Sequence, residues 1–206
     1  MNEYHKIQTI FKRDPENKHK TLLEGQFTLQ EFEFLKDNLW VFTEKVDGTN
    51  IRIMCKSDGV TFGGKTEQAQ IPATLITRLQ EHFVGGHHFE HDVCLYGEGY
   101  GPKIQKGGGN YRQDQDFVLF DVKVGDMWLR RDSVEEIAEK LNIDVVPIIG
   151  VGTVKDMISK CRKGFRSVWG DFQAEGIVAR PVVELQTRDG HRIITKLKCK
   201  DFEVKA

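Results

Sequence analysis

Two lysines in this chain sit in company that suits phosphate chemistry. Lys45 lies in the run Glu44-Lys45-Val46-Asp47-Gly48-Thr49-Asn50, directly after the apolar stretch Trp40–Thr43. Lys65 closes Gly59-x-x-x-x-Gly64-Lys65-Thr66, which satisfies the P-loop pattern, where glycine amides and a lysine hold the phosphates of a nucleoside triphosphate. A P-loop needs a buried parallel strand before its glycines and a helix whose first turn holds the lysine. Here the glycines follow the return arm of a hairpin predicted around Ser57–Gly59. Pro72 also keeps Ile71 out of helical backbone, so a helix from Lys65 would run less than about two turns. The context therefore argues against a P-loop and turns attention to Lys45.

A lysine that attacks a phosphate must be neutral, while its reference pKa is about 10.4. Burial, neighbouring cations or a metal lower that value. The apolar residues flanking Lys45 place it for partial desolvation. Taken alone, the run from Lys45 to Gly48 reads equally well as a hairpin turn with an exposed lysine, because Asp-Gly is a frequent turn pair. Four further segments add to it. Glu98 stands between glycines in Leu95–Gly101. Phe120 precedes Asp121 at the end of an apolar run. Glu175 opens Glu-Gly-Ile-Val-Ala-Arg. Lys198 and Lys200 are two apart and so are expected on one face of a strand. Singly these read as a core phenylalanine, strand-end carboxylates and solvated lysines; their joint order along the chain carries the chemistry.

These residues need elements to position them. Trp40–Val46 and Asn50–Lys56 read as strands, and Ser57-Asp58-Gly59 supplies a turn into a third. Asp92–Gly99 and Phe117–Val124 read as strands, the latter followed by a tight hairpin at Gly125. Helices are predicted from Thr28, with Thr28 and Glu31 as a capping box and Phe32, Leu35 and Leu39 as apolar face, and from Pro72 to Phe83. Two more are predicted, one capped by Ser133 and Glu136 and ending near Leu141, and one from Thr153 to Gly164. The last segment reads as two strands about Asp189-Gly190. Hairpins outnumber βαβ units, so the expectation is an α+β protein of antiparallel sheets with flanking helices.

The bulk composition is that of an ordinary globular chain: 206 residues, 39% hydrophobic, 30% charged, net charge -1. The total charge gives no pointer to nucleic acid, although residues 188–205 form a mildly basic strip. Four scattered cysteines without a Cys-x-x-Cys exclude a zinc ribbon or a disulfide scaffold. The N-terminus has no apolar leader and no run reaches membrane-spanning length, so a reducing, cytoplasmic setting is expected. His87–His91 offers three imidazoles without metal-ligand spacing and reads as a solvated helix end. Gly101–Tyr111 is rich in glycine and basic residues, and reads as a flexible loop that meets nucleic-acid phosphates.

In order and spacing, the five motifs resemble those of the covalent nucleotidyltransferases, the polynucleotide ligases and RNA capping enzymes. Within that superfamily Asn50 after Asp47-Gly48, and Leu197–Phe202 at the end, look most like the RNA ligase 2-like branch. The resemblance spans Lys6 to Phe202. It implies a nucleotidyltransferase (adenylation) domain, expected as a single domain over residues 1–206, with ATP in a cleft between sheets; the family usually adds a C-terminal OB-fold or helical domain, and here the expectation departs from that pattern, with neither present. It implies that Lys45 attacks the α-phosphate of ATP with Mg²⁺ or Mn²⁺ present, forming lysyl-AMP. AMP then passes to a 5′-phosphate end and a 3′-hydroxyl displaces it, sealing RNA. Lys45, Asp47, Lys198 and Lys200 are the implied catalytic set. Glu44, Asn50, Lys65, Glu98, Phe120, Glu175, Lys198 and Lys200 are the implied nucleotide contacts. Phe120 would stack on the base, Glu98 would hold the ribose, and Glu175 would bind the metal, with Glu98 as second candidate. Lys65 becomes an accessory contact to the nucleotide or the incoming 5′-phosphate. A DNA ligase, a guanylyltransferase of the capping type, or a non-catalytic nucleotide- or RNA-binding module would share much of this pattern. An accessory protein is a possible partner in place of a C-terminal domain.

Overall fold

The computed structural model describes residues 3–85 and 89–203. The chain divides into two compact units. One takes the N-terminal residues up to His5 together with Val46–Val146; the other takes Lys6–Lys45 and the chain from Pro147 onward.

The second unit is built on a five-stranded sheet. Its order is Gln8–Thr9, Thr195–Lys198, Gly176–Pro181, Trp40–Glu44, Ile148–Gly152. The first pair is parallel and the others antiparallel. One face buries Trp40, Phe42, Ile177, Ala179 and Leu197. The Val154–Lys163 helix covers it, because Val154, Met157 and Cys161 fall on one side of that helix. Thr153 caps this helix as the spacing predicts: its hydroxyl accepts from Asp156 N–H while the Asp156 carboxylate accepts from Thr153 N–H. Gly164, at φ +68°, stops it.

The helix expected from Thr28 is shorter than its pattern suggests. It spans Gln30–Phe34, with Leu29 at the N-cap and no capping box. Thr28 is instead held by its N–H, which donates to Ile10 O at 3.0 Å. The indole of Trp40 donates to Leu35 O at 2.9 Å, so Leu35 and Trp40 close the segment and Leu39 is left exposed.

The first unit is built on a six-stranded sheet. Asp144–Val145, Asp116–Val124, Val93–Tyr100, Thr49–Lys56 and Gly59–Gly63 follow in order, with Met127–Trp128 hairpinned onto Asp116–Val124. All neighbours are antiparallel except Asp144–Val145. Its core face carries Ile51, Ile53, Leu95, Phe117 and Leu119 under two helices. Ala73–Phe83 supplies Leu75, Leu79 and Phe83; Arg131–Leu141 supplies Val134, Ala138 and Leu141. The latter begins two residues before Ser133, because Arg130 is its N-cap and the Asp132 carboxylate takes up Ser133 N–H. The fold is thus α+β with largely antiparallel sheets.

All four cysteines are free and buried. Among the described residues no helix is long and apolar enough to cross a membrane. Because the Thr153 cap satisfies an otherwise open helix end, Thr153→Ala should lower unfolding free energy by about 1 kcal/mol. Urea denaturation should read this as a lower midpoint at unchanged slope.

Candidate active site

Side-chain alternation sorts the five-stranded sheet into two faces. Thr43 pairs with Val178, which pairs with Lys196; Gly176 pairs with Lys198. These lie on the face away from the core. Lys45 follows the strand onto the same side, its N–H donating to Gly176 O at 2.9 Å. Glu175 immediately precedes Gly176. Its Oε2 accepts from Lys45 Nζ at 2.6 Å and its Oε1 from Lys198 Nζ at 2.6 Å. The side chains of Lys45, Glu175 and Lys198 are 20%, 11% and 26% exposed. One partly desolvated carboxylate therefore holds two ammonium groups.

Lys200 is not on that face. The strand ends at Lys198, and Cys199–Phe202 turns into a 3₁₀ helix on which Lys200 is exposed. Asp201 drives the turn, accepting from Lys198 N–H at 3.2 Å and gripping Arg13 at 2.8 and 3.0 Å. The residue sharing a face with Lys198 is Lys196, which the sequence reading passed over. The sequence offers only the alternation of lysines at 196, 198 and 200, which does not choose between the pairs.

Glu44 points the other way from Lys45. It pairs across the sheet with Ile177, which pairs with Leu197, on the core face. It is 1% exposed, and its Oε2 accepts from Val168 N–H at 3.0 Å. Burial pushes the Glu44 carboxyl above its ordinary value of 4.5, against the opposing pull of its hydrogen bonds and the Lys160 charge. A nucleotide contact by this carboxylate on the Lys45 face is therefore not part of the observed arrangement.

The first unit carries the other predicted residues. Asp47-Gly48 forms the turn before the Thr49–Lys56 strand. Gly48 is required there, since a Cβ would stand 2.2 Å from Gly99 O and 2.7 Å from Glu98 Cγ. Asn50 and Glu98 are cross-strand neighbours on one face. Asn50 Oδ1 is buried and accepts no hydrogen bond among the described residues. Phe120 sits at the register shift in the pairing with Val93–Tyr100 and is half-buried, its ring edge-on to Tyr4 at 5.0 Å and 71°. The neighbouring Asp121 is fully buried and accepts from the Tyr4 hydroxyl at 2.5 Å.

Lys65 is exposed on the loop after Gly59–Gly63. The preceding strand is antiparallel and the next helix begins only at Ala73, which removes both supports of a P-loop. Arg52, fully buried, ties this loop down through Nε to Gly64 O at 2.7 Å and Nη1 to Glu67 at 3.2 Å. The glycine-rich segment is not the loose loop its composition suggests: Gly101, Gly108 and Tyr111 are buried. In the histidine run, His87 and His88 lie outside the described residues. No cluster of three or more His, Cys, Asp or Glu suited to a metal occurs among the described residues.

These side chains fit the groups that the resemblance implies. Lys45, Lys196 and Lys198 on one face suit a polyanionic phosphate chain. Glu175 is a hard oxygen donor of the kind Mg²⁺ or Mn²⁺ takes, with the remaining positions left to phosphate and water. The unmatched Asn50 Oδ1 suits a hydroxyl or water donor.

A family model described as RNA ligase matches residues 38–198. The chain belongs to the RNA ligase family. The matched stretch takes in Lys45, Glu98, Phe120, Glu175, Lys196 and Lys198, and stops before Lys200. No curated protein matches the chain. Several solved structures resemble this RNA ligase family member. A Naegleria gruberi RNA ligase variant with ATP and manganese has a TM-score of 0.69 and 17% identity, covering 96% of this chain and 56% of its own. The same ligase with pyrophosphate gives 0.66 and 18%, covering 96% and 58%. A variant with AMP and manganese gives 0.60 and 19%, again covering 96% and 58%. At this identity the likeness establishes the fold. The chain spans 56–58% of the length of these ligases.

The raised Glu44 pKa yields a stability test on this family member. Burial favours the protonated form, so ionising Glu44 costs folding stability as pH rises from about 4.5 through the folded value. Glu44→Gln should therefore raise the melting temperature at pH 7, with the gain shrinking towards zero below pH ~4. Thermal melts across that range check it.

Proposed function

We propose that the protein is an ATP-dependent RNA ligase whose first step is self-adenylylation on Lys45, with residues 1–206 as one nucleotidyltransferase domain. The observation that carries this reading is the Lys45–Glu175–Lys198 cluster, in which one carboxylate holds both ammonium groups at 2.6 Å. Held in this way, Lys45 Nζ is engaged by the carboxylate rather than aimed at a phosphate. It must leave Glu175 and lose its proton before it attacks. A divalent metal bound at Glu175 would supply positive charge to the phosphates and compete for the carboxylate. Neutral Lys45 Nζ then forms a bond to the α-phosphorus of ATP as the bond to pyrophosphate breaks. Lys198, with Lys196 on the same face, supplies charge to the phosphates as negative charge grows on the leaving group. AMP passes from Lys45 to an RNA 5′-phosphate, and an RNA 3′-hydroxyl displaces it.

Other roles follow the same reading. Phe120 stacks on adenine, a contact worth about 1–3 kcal/mol. Glu98 holds ribose hydroxyls and is the second candidate for metal. Asn50 contacts the nucleotide or a metal-bound water through its unmatched Oδ1. Asp47 helps set the state of Lys45 and supports the later steps, and Lys65 is an accessory phosphate contact. The RNA substrate is a nicked duplex or a pair of 5′-phosphate and 3′-hydroxyl ends.

Incubation with α-labelled ATP and Mg²⁺ or Mn²⁺, followed by denaturing electrophoresis, tests this. The protein should carry label, and Lys45→Ala should carry none. Lys65→Ala should keep the band while slowing sealing. Lys196→Ala and Lys198→Ala should each slow labelling by roughly 10²-fold, and Lys200→Ala by much less. Absence of label with both ATP and GTP overturns the reading.

A further inference from the structure

The segment between Glu98 and Phe117 has no role in the reading above, yet it is built with care. Gly101, at φ +121°, and Gly108 pack back to back: a Cβ on Gly108 would stand 1.9 Å from Gly101 O. Backbone bonds from Gly108 N to Gln105 O and from Tyr111 N to Gly108 O close it on itself at 3.0 and 3.2 Å. The Gln115 side chain donates to Pro102 O at 2.7 Å. At its base the Tyr111 ring stands edge-on to Tyr100 at 6.0 Å and 86°. Arg112 ties the same point to Asp116 at 2.8 Å and to the Tyr100 hydroxyl at 3.3 Å. Glycines permit this compact path; the aromatic pair and the arginine hold it rigid.

Two side chains leave this platform for the same turn. The Asp47 N–H donates to the Tyr111 hydroxyl at 3.1 Å. Gln105 Nε2 donates to Gly48 O at 3.1 Å. The other side of the turn abuts Gly99 O and Glu98, which leaves no space for a Cβ at Gly48. Strand pairing begins only at Thr49 with Gly99, so the Asp47 amide has no ladder partner. A phenol on a buried ring takes that place.

We propose that Tyr111 is a positioning residue for the reaction, with Gln105 as its second contact: together they fix the Asp47-Gly48 turn that directly follows Lys45-Val46 in the chain. The inference rests on the reading of Lys45 as nucleophile. A turn held from both sides keeps the Asp47-Gly48 peptide in one orientation, and reactions that use positioned groups fall steeply with small misalignment. Tyr111 acts through the peptide it anchors.

Single-turnover lysyl-AMP formation, measured against ATP concentration, tests this. Tyr111→Phe removes only the hydroxyl. It should lower the maximal rate about tenfold while the half-saturating ATP concentration stays within about twofold. Gln105→Ala, at an exposed position where unfolding is not at issue, should lower the maximal rate in the same direction. Hydrogen exchange at the Asp47 amide should quicken in Tyr111→Phe, since its acceptor is gone. Wild-type rates in both variants overturn the inference while leaving Lys45 as nucleophile. A rise in the half-saturating ATP concentration at unchanged maximal rate also overturns it, because the loop then serves binding. A wild-type protein that takes no label overturns the Lys45 reading and this inference with it.

Discussion

The site depends on one carboxylate shared between two lysines. Glu175 reaches Lys45 and Lys198 at the same 2.6 Å, one through each oxygen. The three side chains are only 11–26% exposed. An exposed ion pair of this kind would contribute little. Partial burial raises what is at stake, since an unmatched charge there is costly.

The strands exist in the arrangement that this sharing needs. Gly176 pairs with Lys198 and accepts from Lys45 N–H, so three segments distant in sequence meet at one level of the sheet. Hydrophobic burial of Trp40, Phe42, Ile177 and Leu197 fixes which face is which. Period-two alternation then decides everything on the other side. Glu44 and Lys45 are adjacent in the chain and end on opposite faces, one bound to Val168 N–H and one to Glu175. In the other unit the same economy holds: Arg52 and Tyr111, both buried, fix the backbone of segments that carry Lys65 and Asp47.

Much of this was readable because it is local. The lysine before Asp47-Gly48, the strands either side of that turn, and the Thr153–Gly164 helix each announce themselves within about ten residues. Glu98, Phe120 and Glu175 were readable as an ordered set. The phase of Thr195–Lys200 was not, because lysines at 196, 198 and 200 satisfy period two equally well whichever pair is chosen. Asp201 broke the tie by pairing with Arg13, far away in sequence, and turning the chain after Lys198. The glycine-rich segment misled for a related reason. Composition reports conformational freedom in the unfolded chain, whereas Gly101 and Gly108 use that freedom to pack tightly.

By itself the sequence determined the inventory: a nucleophile candidate after an apolar strand, carboxylates at strand ends, and hairpins enough for an antiparallel α+β fold. Those follow from side-chain chemistry and from periodicities a few residues long. Tertiary structure alone decided which lysine shares Glu175, that Glu44 faces the core, that Gly64 beside Lys65 is held by a buried arginine, and that Asp47 leans on Tyr111. Each of these is a contact between residues 12 to 130 positions apart. Only the pairing of strands and the packing of one core against them can bring such residues within hydrogen-bond reach.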